Sequence, residues 1–194
     1  MMANKLPGPD YQLPLPDDRG EAVLAGGCFW CTEAVFQALA GVTEVTSGYA
    51  GGNAADANYE AVCTSRTGHA EAIRVRYDPQ LIRYGALLQV FFSVAHDPTQ
   101  VDRQGTDMGK QYRSAIFYAD ENQRRAAAAY IDQLNGASVF EKRIATTLEA
   151  LEDFYPAEDY HQDFAASNPA QPYVCMVAAP KVDKLRATFP ERVT

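Results

Sequence analysis

The sequence predicts an α/β domain in which helices pack on a layered β-sheet. Segments with strand-like alternation are interleaved with segments of helical periodicity along most of the chain. The composition, 47% hydrophobic and 22% charged, is that of a folded globular protein. No repeat and no Ser/Gly-rich linker divides the 194 residues, so we expect a single domain that spans residues 21–194.

The first 20 residues differ from the rest of the chain. They are rich in Pro and Asp and show no periodicity, so we expect a flexible N-terminal arm, poorly ordered or draped over the domain. No signal-peptide core and no run of roughly 20 apolar residues is visible, which predicts a cytoplasmic protein that does not bind membranes. With 25 acidic against 17 basic residues, the net charge of −8 argues against nucleic-acid binding.

The elements of the first half of the chain follow from periodicity and from turn residues. Strands are predicted where the chain is apolar, β-branched or alternating, and helices where apolar residues recur on one face. A glycine pair precedes the first helix, Gly41 ends it, and Asp78-Pro79 begins the second. The predicted strands are 21–25, 42–49 and 72–77, and the predicted helices are 28–40 and 78–92.

The second half continues the same alternation. A strong helix-former pattern ends at Asn135-Gly136, and two prolines mark the starts of later helices. Strands are predicted at 112–118 and 143–148, and helices at 121–134, near 156–166 and at 180–189. Two long glycine-containing loops, 50–68 and 96–110, are unusual in a compact domain unless they are functional.

Cys28 is the leading candidate for a reactive residue. It follows Gly26-Gly27 at the start of a predicted helix, where free N–H groups and the helix dipole stabilise a thiolate. A buried apolar cysteine at a strand end is the alternative interpretation. Phe29 and Trp30 come next, and they either fill the core or line an apolar pocket for a small alkyl group.

Cys31 completes a C-x-x-C pair with Cys28, a spacing that permits a redox-active disulfide. Zinc binding would require a second pair of ligands. Cys63 and Cys175 are single and far apart, and the three histidines show no ligand spacing, so no metal site is predicted.

Several polar residues lie where loops enter strands. Glu71 at a strand edge would suit a general acid if it were buried, although an exposed strand-end glutamate is the simpler interpretation. Asp107 and Tyr112 belong to a polar loop that either reaches a ligand or lies on the surface. His161 would serve as a base or, more simply, as a hydrogen-bonded structural histidine.

Six ordered sequence blocks over about 135 residues resemble the signature motifs of the peptide methionine sulfoxide reductase A (MsrA) family. The blocks are GCFWxxE at 27–33, GYAGG at 48–52, GHAE at 68–71 after Tyr59, HDPTQ at 96–100, RQGxDxGxQYRS at 103–114 and FYPAEDYHQ at 154–162.

The resemblance implies a two-layer sandwich with a mixed, ferredoxin-like sheet core. It also implies reduction of the S epimer of methionine sulfoxide, free or in proteins, with no metal and no bound cofactor. A thiol reductant, thioredoxin or dithiothreitol, would donate the electrons. Oxidised proteins, free methionine sulfoxide and thioredoxin are the implied partners, and a monomer is expected.

The resemblance also implies roles for particular residues. Cys28 is similar to the nucleophile of the family, and Phe29 and Trp30 to the walls around the substrate methyl group. Glu71 resembles the acid that protonates the sulfoxide oxygen. Tyr59 and Tyr112 resemble the phenols that bind that oxygen, and Asp107 resembles a second acidic residue. Four further residues match motif positions to which we assign a supporting role around the site rather than a part in the chemistry: Glu33, His69, His96 and His161.

Cys31 departs from the family pattern, in which glycine is common at this position. Because Cys31 lies three residues after Cys28 on one helix, we expect it to resolve the Cys28 sulfenic acid. Cys175, in a segment where relatives often keep a resolving cysteine, is the rival, and a buried strand cysteine is a further interpretation of it. Cys63 is expected to be structural.

Two other function classes remain open from the sequence. A thioredoxin-like dithiol–disulfide oxidoreductase would need only the C-F-W-C segment, but it would leave the GHAE and QYRS blocks unexplained. A binding module without catalysis would hold methionine or its sulfoxide in the aromatic pocket.

Overall fold

The computed structural model describes residues 5–15 and 18–194. Within these residues the centre of the fold is a six-stranded mixed sheet, accompanied by a small two-stranded hairpin. The sheet strands are β1 (Glu21–Gly26), β2 (Val42–Ala50), β3 (Ala70–Tyr77), β6 (Ser114–Tyr118), β7 (Thr147–Ala150) and β8 (Phe154–Pro156), and the hairpin strands are β4 (Arg103–Gln104) and β5 (Asp107–Met108).

The strand order in the sheet is β7-β6-β1-β3-β2-β8. The pair β6 and β7 is parallel, and the other neighbours in the sheet are antiparallel. The predicted α/β class with a mixed sheet and packed helices is confirmed. This order places the carboxyl end of β1 between β6 and β3, so residues that follow β1 meet residues from both neighbours.

Six α-helices accompany the sheet in the described part of the chain. They are α1 (Phe29–Gln37), α2 (Tyr59–Cys63), α3 (Tyr84–Val90), α4 (Glu121–Gly136), α5 (Phe164–Ser167) and α6 (Ala179–Thr188). A π-helical segment, Phe91–Ala95, extends α3, and another, Val174–Ala178, leads into α6. Short 3₁₀ turns occur at Ala54–Asp56, Lys110–Tyr112, Asp159–His161 and Pro190–Arg192.

The main hydrophobic core lies between one face of the sheet and the helices. Leu24 and Ile73 on the central strands pack there together with Phe36 of α1, Leu88 of α3 and Tyr130 of α4. The opposite face carries small residues and Phe117, and it is covered by Leu151 and Phe154. Because both faces of the central strands are covered, β1 is uncharged and buried from Ala22 to Gly26 rather than alternating.

The predicted helix 78–92 begins later than expected. Residues 78–82 form a turn in which the carbonyl of Asp78 accepts from Leu81 N and Ile82 N, and α3 starts only at Tyr84. Leu81, which the helical pattern placed on the apolar face, is 73% exposed. The Asp-Pro turn is satisfied locally, so the helix does not propagate from it.

The helix predicted near 156–166 is also wrong. Phe154–Pro156 pairs with β2 instead, and the chain then makes a 3₁₀ turn before the four-residue α5. Glu158 accepts hydrogen bonds from the hydroxyl of Tyr49 and the amide of Tyr59. Tertiary hydrogen bonds to β2 and α2 therefore override the local helical signal.

Other boundaries shift by a few residues. The strand predicted at 143–148 lies at Thr147–Ala150, and the irregular stretch 50–68 contains the short helix α2. Asn58 caps α2 by accepting a hydrogen bond from Ala61 N at 3.0 Å.

The N-terminal arm falls partly outside the described residues, because 1–4 and 16–17 are not described. Leu6 and Leu13 are buried in the main core. Gln89 of α3 donates to the carbonyl of Leu6 at 2.6 Å, and Tyr130 of α4 donates to the carbonyl of Pro7 at 2.6 Å. The described part of the arm is therefore draped over α3 and α4.

Candidate active site

Cys28 occupies the turn between β1 and α1. Gly27 precedes it with φ of 86°, in the left-handed region, where a Cβ atom would also collide with the side chain of Gln104. Cys28 itself is the N-cap residue of α1, and its carbonyl accepts from Cys31 N at 3.1 Å. The glycine pair thus makes the sharp turn that the sequence predicted, and it delivers the thiol to the end of the helix.

A cavity of about 190 Å³ opens over Cys28 and brings distant parts of the chain together. Its lining contains each residue predicted as catalytic or substrate-binding apart from the resolving cysteines. The lining residues are Cys28, Phe29, Trp30, Tyr59, Glu71, Asp107, Tyr112 and Tyr173. A larger cavity of about 680 Å³, beside His96 and Lys181, contains no cysteine.

Glu71 of β3 is buried at the floor of this cavity, with 2% of its surface exposed. Its Oε2 atom accepts a hydrogen bond from Phe29 N at 3.0 Å. Burial raises the pKa of Glu71 to about 8, although the Phe29 N–H opposes the shift. The interpretation of Glu71 as an exposed strand-end residue is wrong, and its carboxyl group keeps a proton at neutral pH.

Two phenols face the same space from different elements. Tyr59 is the first residue of α2, and Tyr112 ends the 3₁₀ turn Lys110–Tyr112. Burial is the largest cause of the raised pKa of both phenols. Both hydroxyl groups therefore remain protonated and available as hydrogen-bond donors.

The aromatic wall of the cavity is built from Phe29 and Trp30. Trp30 stacks on Phe164 with ring centroids 3.7 Å apart and an interplanar angle of 9°. Its indole N–H donates to His161 Nδ1 at 3.1 Å. His161 is buried, and its ring lies 5.0 Å from that of Phe29 and 4.4 Å from that of Tyr59. His161 is thus the structural, hydrogen-bonded histidine of the simpler interpretation.

Cys28 and Cys31 lie close together at the start of α1, and their thiol groups titrate as a pair. The neighbouring Cys31 thiol, then burial and the acidic Glu71, raise the pKa of Cys28 well above its usual range. The neighbouring Cys28 thiol lowers the pKa of Cys31, and Lys181 and Tyr173 act in the same direction, whereas burial opposes them. The expectation that the helix N-terminus favours a Cys28 thiolate stays a prediction, and burial together with the neighbouring Cys31 and Glu71 opposes it.

The other two cysteines lie outside the cavity. Cys175 is exposed in the π-helical segment, and its thiol donates to the carbonyl of Pro169 at 3.1 Å. The interpretation of Cys175 as a buried strand cysteine is wrong. Cys63 is exposed at the end of α2. By contrast, Cys31 is buried against Val174 and Ala178 and lies next to Cys28.

Tyr173 is the cavity residue that the sequence analysis missed. Its hydroxyl donates to Asp107 Oδ2 at 2.5 Å, and Cys31 Sγ lies 3.9 Å from the same hydroxyl oxygen. The sequence offered one clue, since a tyrosine just before Cys175 lies in the segment proposed as a rival resolving site. No periodicity connects it with Asp107, 66 residues away.

Residues 5–15 and 18–194 contain no group of three or more His, Cys, Asp or Glu side chains arranged to hold a metal ion. No helix among the same residues is long and apolar enough to cross a membrane.

A family model described as peptide methionine sulfoxide reductase matches residues 20–193. The chain belongs to the peptide methionine sulfoxide reductase family. Relatives with substantial identity carry the same name. The chain is 54% identical over 168 residues to an MsrA of Thermus thermophilus, covering 87% of this chain and 94% of the relative. It is 52% identical over 173 residues to MsrA 2 of Synechocystis, covering 89% and 81%.

Solved structures of the reductase family share the fold. Reduced Mxr1 from Saccharomyces cerevisiae aligns with a TM-score of 0.72 at 32% identity, covering 80% of this chain and 89% of that one. Methionine sulfoxide reductase A of Corynebacterium diphtheriae aligns with a TM-score of 0.66 at 34% identity, covering 88% and 90%.

Proposed function

We propose that this protein reduces the S epimer of methionine sulfoxide, free or within oxidised proteins, to methionine. The observation that carries the proposal is the convergence on one cavity of a thiol, a buried protonated carboxyl group, two phenols and an aromatic wall. Cys28, Glu71 and the two phenols Tyr59 and Tyr112 are the reacting and polarising groups. Membership of the reductase family supports the same reaction.

The first step is attack of Cys28 on the sulfoxide sulfur. As the Cys28 sulfur attacks, its proton passes to the Cys31 thiolate, and Glu71 gives its proton to the sulfoxide oxygen. The protonated oxygen then passes from the substrate sulfur to the Cys28 sulfur as the bond between the two sulfurs breaks, so that methionine leaves and Cys28 carries the oxygen as a sulfenic acid. Phenol donors stabilise the charge that develops on this oxygen, since a sulfoxide oxygen leaves poorly until it is protonated.

The aromatic wall defines which substrate group enters. Phe29 and Trp30 present apolar rings next to the Cys28 thiol, so the methyl group of the substrate is bound there and water is displaced. Asp107 also lines the cavity, where we assign it the role of setting the local charge and hydrogen bonding.

Cys31 resolves the sulfenic acid in this proposal. It is buried beside Cys28, whereas Cys175 is exposed and bonded to Pro169. Attack by Cys31 forms a disulfide with Cys28 and releases water.

A thiol reductant then reopens the disulfide, so no bound cofactor and no metal take part. Mxr1 from Saccharomyces cerevisiae has been solved in complex with Trx2. We extend this to the present chain by proposing thioredoxin as the electron donor, with dithiothreitol as a substitute in vitro. The proposal includes a monomeric enzyme acting in the cytoplasm.

The decisive experiment is one turnover of a methionine sulfoxide peptide without reductant, followed by mass-spectrometric mapping of all four thiols. We expect one methionine per enzyme and a Cys28–Cys31 disulfide, with Cys63 and Cys175 alkylated. A Cys28–Cys175 crosslink with Cys31 alkylated would transfer the resolving role to Cys175. Cys28→Ser should form no methionine, and Cys63→Ser is the matched control that should behave as wild type.

The same preparation distinguishes the other function classes. A dithiol–disulfide oxidoreductase would reduce the disulfides of insulin faster than it reduces methionine sulfoxide. A binding module without catalysis would keep its full biological activity in the Cys28→Ser variant. Either result would refute the reductase proposal.

A further inference from the structure

The hydroxyl of Tyr173 lies between the resolving thiol and an acidic side chain. It donates to Asp107 Oδ2 at 2.5 Å. Cys31 Sγ approaches the same hydroxyl oxygen at 3.9 Å, with the thiol as donor. One oxygen thus accepts from Cys31 and donates to Asp107, which is the arrangement of a proton relay.

The surroundings of Cys31 leave few other routes for its proton. The residues packed around it include Val174, Ala178 and Phe164, whose side chains accept no proton. Its side-chain hydrogen bond in the described chain is to the hydroxyl of Tyr173, and Cys28 packs beside it. Once Cys28 carries the sulfenic oxygen, Tyr173 is the neighbouring group that connects Cys31 with a carboxylate.

Charge favours transfer along this line. After the neighbouring Cys28 thiol, Lys181 and the Tyr173 hydroxyl also act to lower the pKa of Cys31, whereas burial and the charge of Asp107 oppose them. Burial strongly raises the pKa of Tyr173, followed by the charges of Cys28 and Cys31. Tyr173 therefore does not rest as a phenolate. It relays a proton by giving its own hydroxyl proton to Asp107 while its oxygen accepts the proton of Cys31.

We propose that Tyr173 is a catalytic residue of the second step, relaying the proton of Cys31 to Asp107 while Cys31 attacks the Cys28 sulfenic acid. The inference rests on the proposed function and deepens it.

The step balances without an external reactant. The Cys31 sulfur forms a bond to the Cys28 sulfur as the Cys28 sulfur–oxygen bond breaks. The Cys31 proton moves to the Tyr173 oxygen, the Tyr173 proton moves to Asp107, and Asp107 protonates the departing hydroxide to give water. Cys31 is oxidised from thiol to disulfide, and Cys28 is reduced from sulfenic acid to disulfide.

The test compares the two steps within a single turnover in Tyr173→Phe, which removes only the hydroxyl. Methionine release reports the first step, and the appearance of the disulfide reports the second, with dimedone trapping any Cys28 sulfenic acid. We expect the ratio of second-step to first-step rate to fall by at least about tenfold, since positioned acid–base groups contribute about 10²–10⁴-fold. A dimedone adduct on Cys28 should accumulate.

Asp107→Asn removes the proton acceptor and should lower the same ratio, and it carries the test alone if Tyr173→Phe does not fold. Tyr155→Phe is the matched control, because its hydroxyl bonds to the exposed Asp153 at 3.3 Å. In this control the ratio should equal that of wild type.

The outcomes separate the relay from the reductase function. If Tyr173→Phe keeps the wild-type ratio of second-step to first-step rate, the relay is overturned while methionine formation remains intact. The relay is also overturned if the ratio falls in Tyr173→Phe but stays at the wild-type value in Asp107→Asn. An equal loss of both steps also overturns it, because Tyr173 would then serve only the shape of the cavity. Absence of methionine in the wild-type enzyme refutes the proposed function itself.

Discussion

Burial decides what Glu71 does at neutral pH. Its pKa of about 8 keeps the carboxyl group protonated in the cavity, where it serves as an acid. Because the proton is lost as the pH rises through about 8, we expect the single-turnover rate of methionine formation to decline above that pH. Glu71→Gln should lower the rate by about 10²-fold or more and abolish this decline, as stopped-flow measurements between about pH 6 and pH 9.5 would reveal.

Glu44→Gln is the matched control for this carboxyl-to-amide change. Glu44 lies exposed on β2, where it pairs with Arg76 at 3.0 Å. Its replacement should leave the rate and its pH dependence unchanged. A Glu71→Gln enzyme with a near wild-type rate at neutral pH would remove Glu71 from its role as the acid.

At the scale of secondary-structure elements, α1 and the segment from Asp159 to Phe164 hold the aromatic wall together. Trp30 bonds to His161 and stacks on Phe164, and two turns further along α1 Gln37 bonds to Asp163 at 2.6 Å. Positioning of the indole thus depends on contacts between elements about 130 residues apart in sequence.

We expect His161→Phe to raise KM several-fold, with a smaller effect on kcat. The change removes the acceptor of the Trp30 N–H, and such a bond contributes on the order of 1 kcal/mol, which corresponds to about fivefold in binding. Trp30 is the single tryptophan of the sequence, so its fluorescence reports the change directly. Burial lowers the pKa of His161, so the wild-type emission should change only at acidic pH, where Nδ1 becomes protonated.

Tyr160→Phe provides the control, because Tyr160 is 62% exposed next to His161. Unaltered emission and KM in His161→Phe would show that Phe164 alone positions the indole.

Local sequence signals explain the elements that were predicted well. The apolar strand, glycine pair and helix start around Cys28 depend on neighbouring residues, and the structure has them as expected. The segment 156–166 was not predictable in this way. Its backbone pairs with β2, and Gln162 bonds to both N and O of Ser47, contacts set by residues more than 100 positions away.

The candidate site likewise has features that the sequence predicts and features that depend on contacts between distant residues. Family motifs indicated seven of the eight cavity residues, but the burial that raises the pKa of Glu71 depends on the packed fold. Tyr173 reaches Asp107 only because the segment before α6 packs against α1.

At the scale of the whole molecule, the described part of the N-terminal arm contributes to the core. Leu13 is 2% exposed, and Arg83 donates to its carbonyl. We expect Leu13→Ala to reduce the free energy of unfolding by about 2–4 kcal/mol, as for other buried leucines, with kcat/KM unchanged. Urea denaturation measures the loss, and the exposed Leu15→Ala is the control. A loss below about 0.5 kcal/mol would favour an arm that moves freely.

The global stability should also depend on pH through Glu33 of α1. Its Oε1 accepts from Asp163 N at 3.2 Å, and its Oε2 is buried with no partner among the described residues. Burial raises the pKa of Glu33 to about 7, above its value in the unfolded chain. The folded state therefore holds a proton that the unfolded state releases, and stability falls as the pH rises from about 4.5 to about 7.

Glu33→Gln keeps the hydrogen bond to Asp163 but removes the titration. The free energy of unfolding of wild type relative to this variant should therefore decline by up to about 3 kcal/mol between about pH 5 and pH 8. Glu71 titrates in both proteins, so the difference between them isolates Glu33. The exposed Glu152→Gln should show no such difference in urea denaturation at the two pH values. If the free energy of unfolding of the wild type instead rises relative to Glu33→Gln at the higher pH, the folded state stabilises the buried carboxylate. The pKa of Glu33 would then not be raised by its burial.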